Sequence, residues 1–200
     1  MISILISTYG DEEWEQRGVA LAQLTGNNNR DADVFPWHEP EGTITSARNG
    51  AVTHAIGDWL CFLDADDQLD ADFVPFMGKA ILRDPGNHLR LLTPAVLQVR
   101  GGRRNGPLFF PQCSLETGNW LIIGTLIHKT LFHQIGGFRE HPHGLEDWNL
   151  WRRAVRSGAQ IIRVKRAVYI AHYNHHSKHH QIRRNHKAYV AAYEAARDDI

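Results

Sequence analysis

Three carboxylates within four positions, Asp64, Asp66 and Asp67, close the apolar run Trp59-Leu60-Cys61-Phe62-Leu63. Close carboxylates repel one another by roughly 4 kcal/mol per pair at an effective dielectric near 20, and protons or a cation must relieve them. Oxygen ligands of this kind suit a hard divalent ion, Mn2+ or Mg2+, which keeps coordination positions open for phosphate oxygens. The same acids could instead form a solvated turn that caps the following helix. The run ahead of them favours a site, because it reads as a buried strand whose end opens onto chemistry. A second acidic pair, Glu146-Asp147, opens an amphipathic segment carrying Trp148, Leu150, Trp151 and Val155. By itself that pair is an ordinary acidic first turn of a helix.

The elements that must position these groups follow from periodicity and breakers. Ile2 to Ser7 reads as a first buried strand, and a helix starts near Asp11 and stops at Gly26-Asn27-Asn28-Asn29. A short strand is expected around Val34 to Trp37. A helix follows from about Ile44 to Ile56 with Thr45 or Ser46 near its cap, then the Trp59 to Leu63 strand. Asp70 or Asp72 can cap a helix through Phe73 and Ile81. Beyond it, Leu89 to Val99 and Pro107 to Phe110 flank a basic stretch, Arg100 to Gly106, as a hairpin with a long tip. Trp120 to Ile127 reads as a strand, Lys129 to Ile135 and Glu146 to Ser157 as helices, and Ile161 to Val164 and Ala167 to Ala171 as two short strands. The alternation of strand and helix in the first half implies a parallel, layered α/β core.

Composition narrows the function classes. Two hundred residues with 42% hydrophobic content suit one domain with a tail. No apolar run approaches a membrane span, so a soluble protein is expected. The two cysteines, Cys61 and Cys113, indicate no disulfide framework. A formal net charge of zero argues against nonspecific nucleic-acid binding, yet the halves differ. Residues 1–80 carry 4 basic against 14 acidic side chains, and residues 81–200 carry 18 against 8. The two halves can simply attract, or an acidic metal site and later basic groups can jointly hold a diphosphate.

Taken together, Ile4-Leu5-Ile6-Ser7-Thr8-Tyr9, Ala47-Arg48-Asn49-Gly50 and Gly57 through Asp67 closely resemble the family 2 glycosyltransferases of GT-A fold. Ile135-Gly136-Gly137-Phe138-Arg139 with Gly144-Leu145-Glu146-Asp147-Trp148 resembles that family's acceptor-side motif, and Tyr173-Asn174-His175-His176-Ser177 resembles its closing metal-ligand motif. The resemblance implies a single GT-A, Rossmann-like domain over residues 1–176. Its central sheet would be mixed and mostly parallel, flanked by helices, with a small second sheet or hairpin; residues 177–200 would form a basic, histidine-rich tail with a short helix. It also implies metal-dependent, inverting transfer from a nucleoside diphosphate sugar, a UDP-sugar by preference, to a hydroxyl on a glycan, protein or modified nucleic acid. By the same analogy the enzyme would work in the cytoplasm of a bacterial or phage-infected cell.

Roles carry over residue by residue. Asp66 and His176 would bind the Asp-x-Asp type metal, with Asp64 assisting or contacting the donor ribose. Thr8 and Tyr9 would line the nucleoside pocket with Arg48 nearby. Asp147 would be the general base, with Glu146 next to it as a second catalytic candidate, and Glu146 and Trp148 would shape the acceptor side. The usual acidic segment after the second strand is absent, and Asp31, Asp33 or His38 stand as its substitutes. The stretch from His172 to His186 also offers zinc-type spacings, but with no cysteine nearby a single ligand, His176, is preferred. Tyr173 to Ile200 would close as a donor-dependent lid, a permanently docked terminal helix being the alternative. Two other classes stay open: a metal-dependent nucleotidyltransferase or phosphohydrolase, and a non-catalytic sugar-nucleotide-binding module.

Overall fold

A computed structural model describes residues 1–141, 144–173 and 186–198. Strand β1 (Ile2–Tyr9) is buried along almost its whole length, which is why it shows no alternation of apolar and polar residues. It is followed by α1 (Glu12–Asn28), β2 (Ala32–Glu39), α2 (Ile44–Val52), β3 (Trp59–Leu63) and β4 (Gln68–Leu69). Helix α3 (Phe73–Leu82) leads to β5 (Arg90–Arg100), β6 (Arg103–Leu108), β7 (Leu126–His128) and α4 (Lys129–Gln134). Helix α5 (Glu146–Arg156), β8 (Gln160–His172) and α6 (His186–Asp198) complete the order.

One mixed sheet runs β2-β1-β3-β7-β5-β8-β4, with β6 paired to β5. Strands β1, β2 and β3 are mutually parallel, β5 is parallel to β8, and β7 pairs antiparallel with both β3 and β5. Hence β1, β2, β3, β5 and β8 all point the same way, and Tyr9, Glu39, Leu63, Arg100 and His172 end at one edge of the sheet. Ligands of open α/β sheets gather outside such carboxyl ends.

Several elements differ from the sequence reading. Thr43, not Thr45 or Ser46, is the N-cap of α2: its hydroxyl accepts the Ser46 N–H and the Ser46 hydroxyl bonds back to the Thr43 N–H, a capping box. The helix ends at Val52, short of Ile56. The expected Trp120 to Ile127 strand shrinks to Leu126–His128; Trp120, Leu121 and Ile123 are buried, but as irregular chain. The hairpin turns on Gly101 and Gly102, both at positive φ, so Arg100 and Arg103 lie within its strands rather than in a long tip. The two late strands are one, β8, whose register jumps from Val164 opposite Pro94 to Val168 opposite Ala95.

Of the expected lid, residues 174–185 lie outside the described residues. Helix α6 is docked on α5: Asn149 Nδ2 and Arg152 Nη1 donate to the Ala196 carbonyl, and Tyr193 stacks 4.6 Å from Trp148. In this structure α6 thus packs against α5.

Arg90 shows how the layer of helices is tied to the sheet. Its side chain is buried over the Trp59 ring and donates to the carbonyls of Asn87, Ala80, Ile81 and Asp84, closing the C-terminal end of α3. An Arg90→Met variant keeps the stem and strips those acceptors of their donor. It should lose about 2–4 kcal/mol of stability, measured as a lowered denaturant midpoint at unchanged m-value.

Candidate functional site

The carboxyl edge of the sheet collects most of the candidate residues. Asp64, directly after β3, begins a turn in which the Asp67 N–H donates to the Asp64 carbonyl at 3.0 Å. That turn folds the acids together: Asp64, Asp66 and Asp67 each offer an oxygen within 4.8 Å of the others. Tyr169 of β8 holds them from below. Its hydroxyl donates to Asp67 Oδ2 at 2.8 Å and accepts the Asp64 N–H at 3.4 Å, while the His172 N–H donates to Asp67 Oδ1 at 2.7 Å. Tyr169 fits there because residue 124 is glycine; a Cβ at Gly124 would stand 2.2 Å from the tyrosine ring.

Burial and the neighbouring Asp64 charge push the Asp67 carboxyl up to about 8, against the pull of the His172 and Tyr169 hydrogen bonds. Burial, with Asp67 and Asp64 adding to it, raises the Tyr169 phenol well above its ordinary value, so it stays a donor. A cluster of oxygen donors that disfavours its own negative charge fits a hard divalent cation.

Arg48, reaching out from α2, connects this cluster to the acceptor-side motif. Its side chain is only 6% exposed, with Nη2 2.8 Å from Asp64 Oδ1 and Nη1 2.7 Å from Glu146 Oε1. Burial works against the guanidinium charge, yet the Asp64 and Glu146 carboxylates outweigh it and hold its pKa above the ordinary value. Next in the motif, Asn49 donates to the Phe138 carbonyl and accepts the Phe138 N–H, both at 3.0 Å. Gly137 must be glycine there: its φ is 65°, and a Cβ would meet Asn49 Oδ1 at 2.8 Å.

Asp147 lies in the first turn of α5. One oxygen accepts from Asn119 Nδ2 at 3.0 Å and the other from the Trp148 N–H at 2.7 Å. Burial and the adjacent Glu146 raise its carboxyl to about 6, while Arg48 and the two hydrogen bonds pull the other way. Trp148 is buried behind the site, its Nε1–H donating to the Leu115 carbonyl, which ties the start of α5 to that loop.

At the far end of the edge, Thr8 and His38 are register partners. His38 Nε2 lies 3.1 Å from the Gly10 carbonyl, which can only accept. Nε2 therefore carries the proton, and Nδ1 accepts the Thr8 hydroxyl at 3.0 Å. Tyr9 is half-buried beside them, opposite Glu39. Asp33 is turned to another purpose, accepting from Ser3 Oγ and from the Ile56 N–H. His176 lies outside the described residues. Sequence reasoning passed over Asn119 and Tyr169, quoted Asn49 in a motif without giving it a role, and, having read Asp67 as part of the acidic cluster, assigned metal roles to Asp64, Asp66 and His176.

Comparison with known proteins adds family matches in two segments. The model described as glycosyl transferase family 2 matches residues 19–125, and that described as the N-terminal domain of galactosyltransferase matches residues 109–180. Uncharacterized protein y4gI of Sinorhizobium fredii (strain NBRC 101917 / NGR234) is 26% identical over 157 residues, covering 76% of this chain and 17% of that protein. Among solved structures, S. aureus TarS is similar with a TM-score of 0.65 at 15% identity, over 87% of this chain and 37% of that one. S. aureus TarS 1–349 in complex with UDP-GlcNAc is similar with a TM-score of 0.60 at 16% identity, over 88% and 60%. At such identities the likeness is one of fold. The chain spans less than two thirds of the length of each of these relatives.

The bridge through Arg48 makes a direct prediction. Arg48→Met leaves Asp64 and Glu146 without their shared counter-charge, and breaking such a pair costs about 3 kcal/mol. The expected result is a clear drop in the thermal midpoint; a variant as stable as the parent would remove the bridge from the folding energetics.

Proposed function

Because the chain belongs to glycosyl transferase family 2, we propose that it moves a sugar, with inversion, from a nucleoside diphosphate donor to an acceptor hydroxyl. The observation that carries the proposal is the pairing of two acidic centres across Arg48: an oxygen-donor cluster at the end of β3 and a half-buried carboxylate raised to about 6 at the start of α5. A non-catalytic sugar-nucleotide-binding module has use for the first centre and not for the second, and a nucleotidyltransferase or phosphohydrolase differs in releasing pyrophosphate or phosphate instead of a nucleoside diphosphate.

Asp147 takes the acceptor proton. An acceptor hydroxyl is a poor nucleophile at neutral pH, and a positioned carboxylate contributes about 10²- to 10⁴-fold. A base that titrates near 6 is ionised at working pH yet keeps driving force for the transfer. Asn119 fixes the carboxylate's orientation through one oxygen. Glu146, the second candidate, is neutralised by Arg48 at 2.7 Å, which leaves the base role to Asp147. Attack by the activated hydroxyl on the face opposite the leaving diphosphate inverts the anomeric centre.

Asp64, Asp66 and Asp67 would hold the divalent cation, Mn2+ or Mg2+. When bound, that ion supplies positive charge against the negative charge that builds on the departing diphosphate. Thr8, Tyr9 and His38 form the nucleoside end of the crevice. A UDP-sugar is the proposed donor; TarS 1–349 has been solved with UDP and with UDP-GlcNAc, which supports this choice by fold alone.

Two measurements test the assignment. Asp147→Asn keeps shape but cannot accept a proton, so transfer should fall by about 10²-fold or more while UDP-sugar affinity stays near the parent's. In the parent enzyme kcat/KM should fall as pH drops through about 6, because protonation of Asp147 removes the base; a profile flat from pH 5 to 8 would place the base elsewhere. Separately, Mn2+ should raise the thermal midpoint and tighten UDP-sugar binding, and Asp66→Asn should abolish both effects. Release of pyrophosphate or inorganic phosphate, with no UDP, would overturn the transfer reading.

A further inference from the structure

The β5–β6 hairpin carries charge that nothing in the proposed donor site uses. Strands β6 and β8 both pair with β5, and none of the three contains an acidic residue, whereas Arg100, Arg103, Arg104, Arg163, Lys165 and Arg166 on them are all exposed. Among the described residues, none of these six has a carboxylate partner in a salt bridge. Arg100 and Arg103 sit directly opposite each other in the antiparallel register, next to the Val99–Arg104 pair. Like charges at facing positions destabilise a hairpin, and a bound anion turns that repulsion into attraction; guanidinium groups take phosphate or carboxylate oxygens in bidentate fashion.

The hairpin is also placed to serve the reaction. Arg100 lies 4.3 Å over the Tyr173 ring, the Tyr173 N–H donates to the Val99 carbonyl, and the preceding His172 N–H holds Asp67. On its other side β6 runs into the segment that brings Asn119 to Asp147. That segment is pinned by Arg163, which donates to the Phe110 carbonyl and lies 5.0 Å over both Phe109 and Trp120. Arg100, Arg103 and Arg104 thus stand at the sheet edge between the acid cluster and the arm that orients the base. In the proposed reaction Asp64, Asp66 and Asp67 would hold the cation that meets the donor diphosphate, which leaves the arginines for the other substrate.

We propose that the β5–β6 hairpin docks an anionic acceptor, a glycan polymer bearing repeated phosphate or carboxylate groups. The inference rests on the glycosyltransferase reading for the word acceptor, but its test reads binding and not transfer. Fluorescent polygalacturonate, neutral dextran and a single-stranded oligodeoxythymidine are titrated against the full chain by anisotropy, at low salt and in 0.5 M NaCl. Polygalacturonate should bind and dextran should not, and salt should weaken binding at least tenfold. R103Q/R104Q should lose at least tenfold in affinity, and R103K/R104K, which keeps the charge but not the bidentate fork, should fall between it and the parent; circular dichroism checks that both fold.

Equal binding by R103Q/R104Q and the parent would overturn the proposal. So would tighter binding of the oligodeoxythymidine, which would make the surface one for nucleic acid. In a parallel arm UDP-GlcNAc binding with Mn2+ is measured by calorimetry; a loss confined to the donor in R103Q/R104Q would assign the arginines to the diphosphate and overturn it as well. If the donor arm fails for the parent while polygalacturonate binds through the arginines, the transfer reading falls and the anion surface stands.

Discussion

Everything at the carboxyl edge depends on one buried cation. Arg48 starts on a helix of the first half, meets Asp64 sixteen positions later and Glu146 ninety-eight positions later, and thereby fixes the distance between the end of β3 and the start of α5. A guanidinium suits the task because its planar fork offers two donors in fixed relation and stays charged when buried. Its charge also sets the chemistry on either side. It keeps Glu146 occupied, and it lowers the proton affinity of Asp147 against the burial that raises it. The proposed donor and acceptor centres are therefore coupled through one side chain, and neither can be tuned alone.

The mixed sheet explains why the edge is crowded. Antiparallel β7, three residues long, sits between β3 and β5 and lets two sets of parallel strands share one direction. Acids cluster where β3 ends and arginines where β5 ends, so the opposed charge of the two sequence halves meets along the carboxyl edge of the sheet.

What was legible in the sequence follows the physics of each element. Strand β3 is buried along its whole length, and its uninterrupted apolar run announces that directly, as does the Ile4-Leu5-Ile6 run of β1. The Trp120 to Ile127 stretch is equally apolar, yet most of it packs as irregular chain; apolar content records burial and not backbone conformation. The basic tip was misjudged because two glycines at positive φ make a tight turn that composition alone cannot distinguish from a longer loop. Asp64, Asp66, Asp67 and Asp147 were visible as chemistry because acids after an apolar run, or at a helix start, stand out locally. Asn119 and Tyr169 were not, since their importance comes from partners 28 and 102–105 residues away. Nothing in the local pattern distinguishes an asparagine that aims a carboxylate from one in an ordinary turn.

Leu145 precedes α5 with φ at 70°, the one non-glycine residue among those described in the left-handed region, and supplies no side-chain cap. The conformation costs about 1 kcal/mol, and the half-buried leucine is kept there by packing against the core. The turn that aims Asp147 is thus held like a bent spring, by its anchor and not by its own backbone preference. In a laboratory selection for heat tolerance, relaxing substitutions at this position would be found early, and each would loosen the aim of the carboxylate one residue beyond Glu146. Thermal robustness and the placement of Asp147 are set against each other at a single residue whose own side chain packs against the core.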